Sequence, residues 1–274
     1  MPFTSLPTGM EMYYEVAGSG PPLLLIMGTA ASHEVWAAQV EAYRGDYTVI
    51  TYDARGTGQS THTADPTAYT MRSLADDAAA LVRTLDCGPV HLSGLSLGSA
   101  TSQEFAINHS DLVRTLQLHC TWGYSDQWFC RMIDTMEVPV LHGDLSMYIR
   151  LAMMWVASPH FVNDQPEELE AYERAFILEN PHPPSRDGIL GHFHADKTHD
   201  TLERLGSIAV PTLVTSGEVD WQVPARYGRE VHRRIPGAEF HMFTGPLSSH
   251  IAFSEMPDEW NRFTLEWLEE AASR

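Results

Sequence analysis

The stretch best suited to chemistry is Gly94-Leu95-Ser96-Leu97-Gly98, between the apolar run 89–93 and a segment of small and helix-forming residues. One serine between two glycines at a strand-to-helix junction has a mechanical meaning. The turn is so sharp that Ser96 adopts an unfavourable backbone conformation and its oxygen stands above the sheet edge. Gly94 and Gly98 remove side chains that would collide there. The following helix aims its N-terminus at the same point and favours developing negative charge. Together these features point to a nucleophile; the plainer alternative is a turn that only caps a helix.

A serine nucleophile needs a base, and the base needs an orienting acid. The segment 211–216 (PTLVTS) reads as a strand, and Asp220 lies on the loop after it. A second strand, 238–243 (AEFHMF), precedes a loop carrying His250. Catalytic groups gather at the carboxyl ends of parallel strands, and Ser96, Asp220 and His250 all fall there, in that chain order. Glu218 and Asp126 are the competing acids. His241 lies within its strand and is expected to pack rather than react. The remaining requirement is a pair of N–H donors for an oxyanion. The residue after the nucleophile, Leu97, supplies one, and Thr29, in the Gly28-Thr29-Ala30 loop, supplies the other.

These residues need a frame. Residues 11–16, 22–27, 47–52, 89–93, 113–120, 211–216 and 238–243 read as strands, several of them continuous apolar runs without a solvent face. Helical spacing fits 33–43, the Met71–Leu85 stretch stopped by Gly88, about 97–109, 224–235 and a last helix from about Pro257. Strand–helix alternation with buried strands implies a mostly parallel sheet covered on both faces. The rhythm breaks from about 122 to 207, a region rich in Trp, Met, Pro and His. The expected organisation is therefore an α/β core, 1–121 plus 208–274, with a helical insertion at 122–207.

With 17 basic against 36 acidic residues the formal charge is −19. No basic stripe is present to neutralise phosphates, so neither nucleic acid nor an anionic membrane surface is an expected partner. Cys87, Cys120 and Cys130 are odd in number and lack C-x-x-C spacing, which fits a reducing cytoplasm better than a disulfide framework. The first residues lack the basic start and apolar stretch of a signal peptide, and the longest aliphatic run, Leu23–Met27, is far too short to span a bilayer. A cytoplasmic protein is expected.

The stretches LLLIMGTA, YDARGTGQS (52–60), GLSLG, IAVPTLVTSGEVDWQVP (208–224) and SSHIAFSEMPDEW (249–260) together resemble the α/β-hydrolase fold from end to end. The resemblance implies an eight-stranded, mostly parallel sheet with a helical cap. It implies the same triad, Ser96, Asp220 and His250, and makes the loop around Asp53 and Arg55 structural. The chain is most similar to the group of 3-oxoadipate enol-lactonases and aclacinomycin-type methylesterases, notably in THDTLERLGSIAVPTLV. It departs from many relatives at Met27, where they have His, and at Ser249, where they have Gly. Relatives that open epoxides or displace halide carry aspartate at the elbow, so Ser96 argues against those chemistries.

The insertion is crowded with aromatics and methionines, which suit an adaptable apolar pocket. Most are expected to pack the cap itself, with Trp128 and Trp155 facing the cleft beside Gly28. His182, His192, His194 and His199 are read as satisfied or solvent-exposed rather than as a zinc site, and no cofactor is expected. The expectation is a serine hydrolase acting on a carboxylic ester or lactone of a bulky, largely apolar small molecule. The rivals are a carbon–carbon bond hydrolase using the same triad and a non-enzymatic ligand-binding protein of the same fold.

Overall fold

The structure is a computed structural model that describes residues 2–272. In chain order its strands and α-helices are β1 (Phe3–Ser5), β2 (Glu11–Ala17), β3 (Pro22–Ile26), α1 (Ala37–Tyr43), β4 (Thr48–Tyr52), α2 (Met71–Thr84), β5 (Val90–Leu95), α3 (Leu97–Asn108), β6 (Val113–His119), α4 (Gln127–Leu141), α5 (Leu145–Val156), α6 (Pro159–Asp164), α7 (Pro166–Ile177), α8 (Arg186–Thr198), β7 (Thr212–Gly217), α9 (Arg226–Arg234), β8 (Glu239–Phe243), α10 (Ala252–Glu255) and α11 (Pro257–Ala272). One eight-stranded sheet has the order β1-β2-β4-β3-β5-β6-β7-β8. The β1–β2 and β2–β4 pairs are antiparallel and the rest are parallel.

The continuous apolar runs are buried from two sides at once. In β3, Leu24 and Ile26 join a core with Ala75, Ala78 and Leu81 of α2 and Phe105 of α3. Leu23 and Leu25, pointing the other way, join Tyr43 of α1 and Trp260, Trp267 and Leu268 of α11. Helix α2 starts on a capping box, Thr70 Oγ1 accepting from Ser73 N–H and Ser73 Oγ from Thr70 N–H, an arrangement stabilising by about 1 kcal/mol.

Between β6 and β7 the chain forms α4 to α8. The two ends of this insertion are tied together: Thr201 N–H donates to the Gly123 carbonyl, and Ser125 N–H to that of His199. A third core joins the insertion to the body, with Phe129, Met132 and Phe193 packed with Tyr69, Leu97 and Ala100. No helix among the described residues is long and apolar enough to cross a membrane.

Two details differ from the sequence expectation. Strand β1 was not foreseen, because three residues at an antiparallel edge carry no periodic signal. The helix expected over 33–43 starts as a 3₁₀ turn, His33–Trp36, and becomes α-helical only at Ala37.

Candidate active site

Ser96 sits where β5 passes into α3, with φ 56° and ψ −123°. A non-glycine residue held there is strained by about 1–3 kcal/mol, so its surroundings must fix it. The Ser96 N–H donates to the His119 carbonyl of β6, and the Ser96 carbonyl accepts from Ser99 N–H and Ala100 N–H. The flanking glycines are steric necessities. A Cβ on Gly98 would come within 2.1 Å of the Ile26 carbonyl oxygen, and one on Gly94 within 2.3 Å of the Gly98 carbonyl oxygen.

His250 and Asp220 reach the same place on the loops after β8 and β7. His250 Nδ1 lies 2.9 Å from Asp220 Oδ2, and both residues are buried. Asp220 Oδ1 accepts from Val223 N–H at 2.8 Å, which fixes the carboxylate. With Nδ1–H directed at the carboxylate, Nε2 is left as the basic nitrogen. Ser96 and His250 line one cavity. Below them Cys120 Sγ donates to the His250 carbonyl oxygen, and burial pushes its thiol well up, so it packs as a neutral group.

Leu97 is the first residue of α3, so its N–H has no intrahelical acceptor. Thr29 N–H likewise finds no acceptor among the described residues. Thr29 and Gly28 line the cavity with Ser96. The loop after β3 is held from above by α8. Ala30, at φ 62°, donates its N–H to His192 Nδ1 at 3.0 Å, and His192 Nε2–H donates to the Arg55 carbonyl at 2.8 Å. Burial lowers the His192 pKa to about 4, which keeps the imidazole neutral and able to accept and donate at once. His192 is thus a clamp on the loop, with both nitrogens occupied. His199 is buried too and pairs with the Trp122 carbonyl.

The cavity has a volume of about 90 Å³. Ile133, Met136, Tyr148, Met153, Phe176 and Phe193 supply much of its wall. Trp128 and Trp155 do not line it, contrary to expectation. Trp128 is 41 % exposed, packs edge-on against Trp155 and lies under the Arg226 guanidinium on the outer surface. Met132 and Met136 of α4, Met153 of α5 and Phe193 of α8 turn inward instead, while Met147 and Met154 of α5 are exposed. The competing residues go elsewhere: Asp126 caps α4 and accepts from Tyr227, Glu218 accepts from Gly245 N–H, and His241 stacks on Phe263.

One polar group of the site was not foreseen. Asp196 of α8 is 1 % exposed, lines the cavity and accepts from Thr29 Oγ1 at 2.8 Å through Oδ2. Its signal was its position: Ile189, Phe193 and Asp196 share one helical stripe, so a carboxyl follows two apolar residues into the interior.

A family model described as α/β hydrolase fold matches residues 21–255. "Putative carbamate hydrolase RutD" of Azorhizobium caulinodans is 27 % identical over 258 residues, covering 93 % of this chain and 94 % of the relative. The protein of the same name from Pantoea ananatis is 25 % identical, with 96 % and 94 % covered. Among solved structures, a hydrolase from Pseudomonas aeruginosa PA01 superposes with a TM-score of 0.86 at 26 % identity, covering 97 % of each chain. The enol-lactonase from Burkholderia xenovorans LB400 gives a TM-score of 0.86 at 24 % identity, with 98 % and 100 % covered, and so shares the fold. The strand order, the strained serine turn and the match across most of its length make this chain a member of the α/β-hydrolase-fold family.

Proposed function

We propose that this protein is a serine hydrolase that cleaves the carboxylic ester or lactone bond of a small molecule through Ser96, His250 and Asp220. One observation carries the reading: a serine held at positive φ opens into the same cavity as a histidine whose other nitrogen is tied to a buried carboxylate. His250 Nε2 removes the Ser96 Oγ proton as Oγ attacks the carbonyl carbon. The Thr29 and Leu97 N–H groups hold the resulting oxyanion. The intermediate collapses to an acyl-serine, and His250 passes the proton to the departing alcohol oxygen. A water then gives a proton to His250 and attacks the acyl carbon; the bond from that carbon to Ser96 Oγ breaks, His250 returns the proton to Oγ, and the acid is released. None of these steps calls on a cofactor.

The 90 Å³ cavity supports a compact, largely apolar substrate in place of the bulky one expected from composition. The insertion α4–α8 is the cap over it. The relatives named as carbamate hydrolases widen the class, since a carbamate offers the same attack on a carbonyl with nitrogen on one side. The acidic surface and the absence of a membrane-spanning helix among the described residues support a cytoplasmic enzyme that works on small molecules.

A fluorophosphonate probe with peptide mapping by mass spectrometry tests the reading. Stoichiometric labelling of Ser96 in the wild type, lost in Ser96→Ala and His250→Ala, is the expected result. A folded wild type that takes no label would overturn it.

A further inference from the structure

Two polar side chains in the cavity wall are left unsatisfied by the protein. Asp196 gives one oxygen to Thr29, but its Oδ1 has no partner, and neither has Oε1 of Gln222. Both residues are more than nine-tenths buried and both line the same cavity as Ser96. Buried oxygens are normally paired, and those that are not call for a reason in function. The rest of the wall is mostly apolar and holds no Lys or Arg.

We infer that Asp196 is the specificity-determining residue of this site, accepting a hydrogen bond from an O–H or N–H group that the substrate carries close to its scissile carbonyl. The inference rests on the hydrolase reading above. Thr29 links the two ends of the interaction: its N–H is the proposed oxyanion donor, and its Oγ1 donates to Asp196 Oδ2. The carboxyl is therefore one side chain away from the reacting carbonyl. It also rides on a fixed helix. His192, one turn earlier, bonds Ala30, and the Asp196 carbonyl accepts from Ser125 Oγ. The side chain is not free to swing to water.

Charge narrows the class further. A substrate carboxylate would meet the Asp196 carboxyl with no cation in the cavity to offset it, so an anionic acyl group is disfavoured. A neutral or amine-bearing donor satisfies Oδ1 instead. Burial raises the Asp196 pKa to about 7, with Thr29 pulling the other way. The titratable groups around it are Tyr148 of α5, whose phenol burial keeps protonated, the neutral His192 on its own helix, and His250 across the cavity. Above that pKa Oδ1 is an acceptor. Below it, with Oδ2 held by Thr29, Oδ1 carries the proton and becomes a donor.

The test uses phenyl esters of glycolic, methoxyacetic and succinic acids, which present a hydroxyl donor, the same oxygen capped, and a carboxylate. For the wild type at pH 8.5, kcat/KM for the glycolate should exceed that for the methoxyacetate at least tenfold, and the succinate should be the poorest. The glycolate-to-methoxyacetate ratio should fall toward one at pH 5.5, because His250 acts on both esters alike and cancels. In Asp196→Asn, Thr29 holds the amide oxygen and the NH₂ replaces the acceptor, so the ratio should drop to one or below and lose its pH dependence. The wild-type pH profile needs no variant and stands even if Asp196→Asn does not fold. Equal rates on glycolate and methoxyacetate at both pH values, or an unchanged ratio in a folded Asp196→Asn, would overturn the inference while leaving the hydrolase intact. No turnover of any ester, together with no fluorophosphonate label on Ser96, would remove the hydrolase reading and this inference with it.

Discussion

The floor and the roof of the cavity are built on opposite principles. The floor is made of strand ends and turns, and it concentrates backbone strain. Of the four non-glycine residues at positive φ among those described, three are Ala30, Ser96 and Cys120, all at this site. Its acid and base are paired: Asp220 with His250 and Val223. The roof, α4 to α8, is helical, and it lines the cavity with mostly apolar side chains plus one carboxyl with a free oxygen, while His192 of α8 bonds the loop below. On the proposed reading, strain on the floor fixes atoms for a reaction, and the adaptable surface of the roof chooses what enters. Substitutions on the two sides should therefore fail in different ways.

The largest effect belongs to the floor. Ser96→Ala should lower ester turnover by at least ~10⁴-fold while circular dichroism and Tm stay near wild type, since removing Oγ relieves no packing. A mutant retaining more than a hundredth of wild-type kcat would show that the floor is not where the bond breaks. Gly98→Ala should fail by another route. Its new Cβ runs into the Ile26 carbonyl, which is backbone and has little freedom to yield. A loss of about 3 kcal/mol in denaturant unfolding is expected, with activity falling alongside. Full stability with lost activity would mean that the turn adapts more than its packing implies.

On the roof the expected change is in selection. Met153 is buried and lines the cavity, so Met153→Ala should open space and shift the preferred acyl chain to longer esters by about tenfold in kcat/KM, with a stability loss of about 2–4 kcal/mol. Trp128→Ala, on the outer surface, should change the same profile by less than about threefold. A chain-length panel on both variants sharpens the contrast. If Trp128→Ala shifted the preference and Met153→Ala did not, the inward and outward faces of the insertion would have to be exchanged.

The floor was largely legible in the sequence and the roof was not, and the reason is physical. Ser96, Asp220 and His250 could be placed because the βα turns of a parallel sheet leave few options, and because glycine at 94 and 98 marks a collision that only backbone can avoid. Thr29 and Leu97 followed from the same constraint. Trp128 and Trp155 could not be placed, because a helical insertion rich in apolar residues has several faces of similar character and tertiary packing selects among them. Asp196 was passed over for a related reason: a single acid on a helix ordinarily faces water, and only its register with Ile189 and Phe193 said otherwise. The pairing of His192 with the loop after β3 involves residues 162 positions apart, a separation at which no local pattern speaks.

The smallest effect tests whether the roof sacrifices stability for selection. The Asp196 carboxyl, ordinarily near 3.8, is pushed up to about 7 by burial in the folded protein. Between those values the folded state binds the proton and the unfolded state does not, so stability falls as pH rises through this window. Above about pH 7 the fold carries the full burden of a buried carboxylate. Asp196→Asn removes the ionisation and keeps the shape. Its Tm should exceed that of the wild type by ~5 °C at pH 8.5, with the gain shrinking as the pH is lowered toward 4. A gain equal at both ends of the range would mean that Asp196 does not change its charge on unfolding, and its free oxygen would then reflect packing. A gain confined to alkaline pH, with the loss of donor preference in the same variant, would mark a carboxyl whose poor fit to the free protein is relieved by the substrate's donor.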